Sequence, residues 1–261
     1  MSTKTEYPIY THESGAYLPI TFVEDPWKDD SQVPFVCMGV QATVGKWGTA
    51  NGVTNYNLLG GKTLQFDNGH YVKKCWKKDA TMKPADYEWK SLNDVENGKN
   101  TVWREGAEES LGIFQLPIHD DQLVWTNGGY TAPLTGERTK TAIGVIVDKR
   151  FDEKEKRGRL HAEFKKKVRT NMQTYMSKYR KTKKHDWDGR IEMMDLVWVD
   201  FHKLLDSVKE LDPKDQKPTR LFTIDGLEVC TYLDPWVVYL LREKTVQDQL
   251  NELVRKIHVV L

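Results

Sequence analysis

Cysteine is scarce in this chain, and long apolar segments are absent. The 261 residues include three cysteines, Cys37, Cys75 and Cys230, which lie far apart and form no C-x-x-C pair. An odd, scattered set argues against a disulfide framework or a zinc cluster, so buried or idle thiols are the favoured interpretation and reactive thiols the alternative. No apolar run approaches the ~18 residues that a membrane-spanning helix needs. Residues 1–10 also lack the basic-then-apolar pattern of a signal peptide, and we expect a cytoplasmic protein with no membrane contact.

Composition and length favour a single globular domain over residues 1–261. Charged residues make up 30% of the chain and hydrophobic residues 39%, a balance typical of a folded protein with a substantial core. Positive charge is concentrated in residues 149–190, where sixteen Lys and Arg stand against six Asp and Glu, whereas the whole chain carries a net charge of only +1. Such an asymmetry indicates contact with an anionic partner.

Apolar periodicity predicts an α/β protein. The predicted strands are 17–23 within an otherwise irregular arm (1–32), 33–44, 53–59, 113–118, 122–126, 141–147 and 191–199. The predicted helices are 103–111, long stretches of 154–184, 200–208 and a terminal helical region from 231. Asn100 or Thr101 and Asp234 are the expected N-caps, with Pro235 at a first helical position and Gly112 at C′ of the acidic helix. In the long basic helix, apolar residues at three- and four-residue spacings predict a packing stripe of Phe164, Val168, Met172, Tyr175, Met176 and Tyr179.

The predicted helix 103–111, W-R-E-G-A-E-E-S-L, carries the most informative chemistry. Glu105, Glu108 and Glu109 are three and four residues apart, so they share one helix face. Their charges would repel one another unless a cation lay between them, and a hard divalent ion such as Mg²⁺ prefers carboxylate oxygens. Arg104 can pair with Glu108 at i,i+4. The alternative is an acidic helix face in water, because Glu is a common surface helix former.

Three segments together resemble the Nudix hydrolase family. The family box runs G-x5-E-x7-R-E-U-x-E-E-x-G-U, with U bulky and apolar, and its acidic spacing is matched by Glu96 and the Arg104–Glu109 segment. Residues 57–62, N-L-L-G-G-K, resemble the L-P-G-G-K segment that leads into the box. Residues 192–204, which include W-V-D, resemble the E-x5-W-V-D-x3-L element near the family's C-terminus. The resemblance covers residues 33–241, with large gaps.

The match departs from the family pattern at three points. Thirty-four residues separate Gly61 from the first box glutamate, where the family has five, so residues 63–95 are interpreted as an insertion in the leading loop. Gly106 replaces a bulky apolar residue, which costs about 1 kcal/mol relative to Ala and removes an anchor. Gly112 comes one residue late, and we expect Leu111 to supply the missing anchor through a bulged last turn.

The resemblance implies a Nudix-type α/β/α sandwich with a mixed central sheet and inserted segments. It also implies Mg²⁺-dependent cleavage of a nucleoside diphosphate linked to another moiety, with Mn²⁺ as an alternative metal. In that family, the residues matching Glu105, Glu108 and Glu109 bind the metal. Arg104 would orient a glutamate through a charge-assisted bond, and Glu96 would support the loop or bind metal through water.

The same resemblance assigns substrate contacts to the Gly-Gly-Lys segment. Gly60, Gly61 and Lys62 would lie against the box helix or the phosphates, and a simple tight turn is the alternative. The general base is not fixed by the motif, and Glu163 and Glu192 are both candidates. Side chains that recognise the second moiety lie outside the box, so the sequence does not identify the substrate or the oligomeric state.

Residues 149–190 are interpreted as a basic, largely helical insertion. Lys165, Lys166 and Arg169 are its expected phosphate contacts, because basic and aromatic residues together suit a nucleic-acid strand or a polyphosphate; a solvated helix face is the alternative. The expected substrate is a dinucleotide, an ADP-ribose-like molecule or a capped RNA 5′ end. Two other hypotheses stay open: a catalytically weak Nudix-like module that binds RNA or a partner protein, and a structural protein whose acidic helix is only surface.

Overall fold

The computed structural model describes residues 12–24, 32–41, 55–62, 98–126, 130–131, 138–182, 193–214 and 217–260. In these segments ten strands form one sheet. The strands are β1 His12–Glu24, β2 Gln32–Gln41, β3 Asn55–Asn57, β4 Leu59–Lys62, β5 Leu123–Trp125, β6 Tyr130–Thr131, β7 Arg138–Val147, β8 Met193–Asp200, β9 Thr219–Phe222 and β10 Glu228–Leu233. The α-helices are α1 Gly98–Glu109, α2 Lys154–Thr182, α3 Phe201–Lys209, α4 Pro235–Arg242 and α5 Lys244–Val260. The predicted insertion at 63–95 lies outside the described residues.

Strand β1 is the centre of the sheet. It runs parallel to β7 over nine residue pairs and antiparallel to both β4 and β2 on its other edge. The strand order is β5-β7-β1-β2-β3-β10-β9, with β4 on β1, β6 on β7 and β8 on β2. The expectation of an α/β protein with a mixed sheet is therefore confirmed.

The predicted strand at 17–23 is confirmed, but it is part of a longer element. Residues 12–24 form a thirteen-residue strand, so the arm is wrong in its extent of irregular structure over the described residues. Pro19 suggested a break, but β4 pairs with β1 up to Tyr17 and β2 pairs from Ile20, so Pro19 falls between the two antiparallel pairings. A residue without an N–H is tolerated where a strand edge lacks a ladder partner.

Helices cover both faces of the sheet. Side chains of β1 alternate between the faces, with Leu18 in one buried apolar cluster and Tyr17 in the other. The first cluster joins β1 to α3, α4 and α5, for example through Leu241, and the second joins it to α1 and α2 through Val102 and Phe164. No helix among the described residues is long and apolar enough to cross a membrane.

The predicted strand at 113–118 is wrong. The segment is irregular because side chains, rather than a neighbouring strand, take up its carbonyl groups. Trp103 Nε1 donates to the carbonyl of Gln115 (3.2 Å), and the Arg150 guanidinium donates to that of Ile113 (2.8 Å). Apolar side chains of the segment are nevertheless buried in the second cluster: Ile113, Phe114 and Ile118.

The C-terminal part was only partly predicted. Strands β9 and β10 were not expected, and the helical region begins after Leu233 rather than at 231. The predicted cap is confirmed, because Asp234 Oδ1 accepts a 2.8 Å hydrogen bond from the N–H of Trp236 and Pro235 occupies the first turn. Strand β10 lies parallel to β3, far away in the sequence; local composition carries no signal of such a pairing.

Among the described side chains of the long basic helix α2, the buried ones lie in its first half. Phe164 and Val168 are buried, as the predicted stripe requires. Met172 is 40% exposed, so the stripe is wrong at that position; the side chains of its last three members lie outside the described part. A helix of 29 residues spans about 43 Å, and its exposed residues 169–174 follow the last buried contact.

Candidate functional site

Helix α1, which carries the acidic cluster, begins earlier than predicted. Gly98 is already helical, so neither Asn100 nor Thr101 is the N-cap. Gly98 lies against the Trp125 ring, and a Cβ at this position would come within 2.9 Å of it. Glu96, the first acid of the motif, lies outside the described residues.

Glycines allow α1 to approach the sheet unusually closely. A Cβ at Gly15 of β1 would lie 2.9 Å from the carbonyl oxygen of Gly98, and a Cβ at Gly106 would lie 2.5 Å from Cγ of Tyr17. The Tyr17 ring is fully buried at this contact. The anchor that Gly106 was expected to remove is therefore supplied from the sheet, because the Tyr17 ring occupies the space of the missing side chain.

The end of α1 differs by one residue from the prediction. Leu111 adopts the left-handed conformation (φ 53°) at C′, and Gly112, the next residue, also has a positive φ (77°). The N–H of Gly112 bonds the carbonyl of Ala107 (2.7 Å) and that of Leu111 bonds Glu108 (3.1 Å), which is the Schellman pattern. A left-handed conformation costs a non-glycine residue about 1–2 kcal/mol, and Leu111 packs, half-buried, against the second cluster as expected.

Arg104 binds two of the three clustered glutamates. Its side chain is buried, with Nη2 2.8 Å from Oε1 of Glu105 and Nη1 2.9 Å from Oε2 of Glu108. The predicted Arg104–Glu108 pair is thus confirmed, and Glu105 is a second partner. Because both pairs share one buried guanidinium, loss of Arg104 would remove a cation that both carboxylates contact.

The Gly-Gly segment meets the same carboxylates from the sheet side. The N–H of Gly60 donates a 2.6 Å hydrogen bond to Oε2 of Glu109, whose side chain is buried. Gly61 faces Glu105, and a Cβ at Gly61 would lie 2.7 Å from the Glu105 carboxyl carbon. Lys62 ends β4 opposite Ser14, and its side chain lies outside the described part. The structure therefore brings Gly60 and Gly61 onto Glu105 and Glu109.

The three basic residues predicted as phosphate contacts differ in their surroundings. Lys165 Nζ lies 2.6 Å from Oδ2 of Asp195, and His161 Nε2 lies 2.5 Å from Oδ1 of the same carboxylate. Burial of Asp195 opposes its ionised form, but the hydrogen bonds and positive charges of His161 and Lys165 outweigh burial and lower the pKa of the carboxyl. Lys166 and Arg169 are exposed on the helix surface.

Lys167, which the sequence did not single out, connects the basic helix to the acidic one. Its Nζ donates to the carbonyl of Leu111 at 3.0 Å and pairs with Glu163 at 2.9 Å. Glu163, a candidate general base, is thus held in a surface ion pair, and the other candidate, Glu192, lies outside the described residues. Asp195 also has a structural role that the sequence did not single out, because it joins the basic helix to β8. Its sequence signal is a carboxylate within the apolar strand M-M-D-L-V-W-V.

The carboxylates of Glu105, Glu108 and Glu109 are the type of ligand that a hard divalent cation prefers. Three carboxylates and one guanidinium leave the cluster with excess negative charge, and carboxylate oxygens are preferred ligands of Mg²⁺. Within the described ranges, no three His, Cys, Asp or Glu side chains are already placed to hold a metal ion. Arg104 and the N–H of Gly60 engage these carboxylates in the structure, so a metal ion would share Glu105, Glu108 and Glu109 with these donors.

Overall similarity to known proteins gives no assignment. Comparison of the sequence with models of protein families and with curated proteins finds no match. The resemblance to the Nudix family therefore rests on the motif residues and on how they are placed relative to one another.

Proposed function

We propose that the protein is a Mg²⁺-dependent pyrophosphohydrolase of the Nudix type, with Mn²⁺ as an alternative metal. Its substrate is a nucleoside diphosphate linked to another moiety: a dinucleotide, an ADP-ribose-like molecule or a capped RNA 5′ end. The proposal includes the fold, so that the mixed sheet with helices on both faces corresponds to a Nudix α/β/α sandwich.

One observation carries this proposal. Gly60 and Gly61, recognised in sequence as a Nudix-like lead-in, lie on Glu105 and Glu109, which belong to the acidic motif. The resemblance predicted that these glycines approach the box helix or the phosphates, and the two segments meet although Gly60 and Glu109 are 49 residues apart in the chain. Contact between the two parts of the family pattern supports the assignment more strongly than the sequence match alone.

Each residue has a physical role in the proposed reaction. Arg104 fixes the orientation of Glu105 and Glu108, and the N–H of Gly60 fixes that of Glu109. A bound Mg²⁺ would neutralise the phosphate charge and lower the pKa of a water ligand. Glu105, Glu108 and Glu109 would hold it, and the missing side chain at Gly61 allows the Glu105 carboxylate to lie directly against β4.

Replacement of two carboxylates by amides tests the proposal. Glu108→Gln with Glu109→Gln keeps the side-chain shapes but removes two negative charges, so we expect Mg²⁺-dependent hydrolysis to fall by at least about 100-fold. Glu252→Gln, on the exposed face of α5, is the matched control and should retain activity. The assay is a panel of nucleotide derivatives with products identified by mass; activity that survives the double change would refute the assignment.

A binding module without efficient hydrolysis is the second candidate. The observation that favours it is the engagement of the carboxylates by Arg104 and Gly60, together with the exposed basic surface of Lys166 and Arg169. This function predicts RNA binding with a steep salt dependence and no turnover on the panel with Mg²⁺ or Mn²⁺. Turnover of any substrate that is lost in the double variant would exclude it.

A further inference from the structure

Two asparagines of strand β3 have buried carboxamide oxygens. Within the part of the chain that the structure describes, neither Oδ1 of Asn55 nor Oδ1 of Asn57 accepts a hydrogen bond. Asn57 is only 7% exposed, and Asn55 donates its own amide hydrogen to Oε1 of Gln41 at 2.9 Å. A buried acceptor without a donor is costly to a folded protein, so this pair needs an explanation.

The asparagines lie on the sheet face that carries α1. Tyr56, between them, is buried in the cluster on the opposite face, and successive strand residues point to opposite faces. Asn57 stands opposite Gly39 in β2, where the missing side chain leaves space that the Met193 thioether partly fills. The polar groups form a row that runs inward, from half-buried Gln41 and Asn55 to buried Asn57.

The row leads towards the acidic cluster. Asn57 precedes Gly60 by three residues, which is at most about 10 Å of extended chain. Gly60 holds Glu109 through its N–H. A ligand with phosphates at the α1 carboxylates would therefore have its adjoining nucleoside within reach of this row.

We propose that Asn57, together with Asn55, forms a subsite that accepts a hydrogen bond from an N–H or O–H group of the bound nucleoside. The inference rests on the proposed function for the position of the phosphates. The unpartnered oxygens select a ligand with donors, and a site built to bond a donor rejects an analogue that lacks it. The donor is either an amino group of the base or a hydroxyl of the ribose. Analogues that lack one or the other distinguish the two sources.

Calorimetric binding in the presence of Mg²⁺ tests the subsite independently of hydrolysis, because nucleoside monophosphates contain no phosphoric anhydride bond to cleave. The ligands are AMP, purine riboside 5′-monophosphate, which has no donor on the base, and the 2′-deoxy and 3′-deoxy forms of AMP, which each lack one sugar hydroxyl. The proteins are the wild type, Asn57→Leu, the shorter but polar Asn57→Ser, and Asn251→Leu on the exposed surface of α5 as the matched control. Thermal unfolding of all four is recorded alongside.

We expect the wild type and Asn251→Leu to bind AMP about tenfold more tightly than one of the three analogues, as one neutral hydrogen bond allows. Both changes at Asn57 should abolish this preference, and Asn57→Leu should unfold at the same or a higher temperature because it removes an unpartnered acceptor. The subsite would be overturned if the wild type failed to bind AMP or showed no preference for it. It would also be overturned if Asn57→Leu kept the preference or lost stability markedly. A protein that prefers AMP over an analogue in this binding experiment, but hydrolyses no compound of the nucleotide panel, would overturn only the proposed function.

Discussion

The N–H of Gly60 donates a 2.6 Å hydrogen bond to Oε2 of Glu109 across 49 residues of sequence. Beside it, Gly61 lies directly against the Glu105 carboxylate. Two of the three clustered acids are therefore positioned by a strand whose contribution is its backbone. A side chain at position 61 would have to share the space of the Glu105 carboxylate, which makes Gly61 a sensitive point of the site.

Gly61→Ala is expected to displace Glu105. Its Cβ would lie 2.7 Å from the carboxyl carbon, so the end of this flexible side chain has to move away from β4. We expect hydrolysis to fall at least about tenfold. Gly158→Ala, a helix position with nothing within 4 Å, is the control and should gain up to about 1 kcal/mol with unchanged activity. Full activity in Gly61→Ala would contradict the predicted role of this contact.

Gly106→Ala is expected to destabilise the protein, although alanine is the better helix former. The added Cβ would overlap the Tyr17 ring, 2.5 Å from its Cγ, and the cost of about 1–3 kcal/mol exceeds the propensity gain of about 1 kcal/mol. Urea unfolding measures the difference, and the same change at Gly158 should have the opposite sign. In a Tyr17→Leu background the loss should shrink; equal losses in both backgrounds would show that the ring is not the cause.

Arg104→Met should destabilise the fold and strengthen its response to metal. Removal of the guanidinium leaves Glu105 and Glu108 without the cation that both now contact, and breaking a buried pair costs about 3–5 kcal/mol. Mg²⁺ should recover part of this loss, because ligands that bind only the folded state stabilise it. The readout is the change in melting temperature on adding Mg²⁺, expected to be larger in the variant than in the wild type.

The control for that experiment is Arg220→Met. Arg220 pairs with Glu228 at 3.2 Å on an exposed hairpin, where ion pairs contribute little. It should change neither stability nor the response to Mg²⁺ measurably. A response to Mg²⁺ that is the same in Arg104→Met, Arg220→Met and the wild type would count against a metal at the α1 carboxylates.

Sequence spacing was sufficient for features set by neighbours in the chain. The Arg104–Glu108 pair follows from i,i+4 geometry, and the Asp234 cap follows from the residues around it. The α/β class follows from apolar periodicity, whereas the mixed sheet was expected only from the family resemblance. None of these inferences requires knowledge of which segments meet across the fold.

Features that depend on contacts between distant segments could not be predicted from the local sequence. Gly106 was interpreted as a lost anchor because nothing in the local sequence places the Tyr17 ring beside it. Pro19 suggested an irregular arm because the two pairings that flank it become visible only in the sheet. Lys165 was assigned to phosphate, whereas the fold places its ammonium on Asp195 of β8.

Asp195→Asn is expected to destabilise the protein near pH 5 and to have less effect as the pH falls. Burial disfavours the ionised carboxyl, yet His161 and Lys165 lower its pKa below the usual value of about 3.9. For a carboxyl with a depressed folded-state pKa, the stabilisation is complete above the unfolded pKa and is lost as the pH falls through the folded pKa. The wild type should therefore exceed the variant by about 1 kcal/mol near pH 5, and the gap should close below about pH 4.

Urea unfolding between pH 5 and pH 3 measures this gap, with Asp206→Asn as the control. Asp206 also has a lowered pKa, because Lys209 donates a hydrogen bond to it, but the pair is exposed on α3 and should contribute no measurable stability. The comparison separates a charge that joins two elements from one that stays within a single helix, since Asp195 of β8 pairs with α2 whereas Asp206 pairs within α3. A gap between wild type and Asp195→Asn that stays constant over the whole range would mean that packing of the side chain, rather than its charge, holds the basic helix to the sheet.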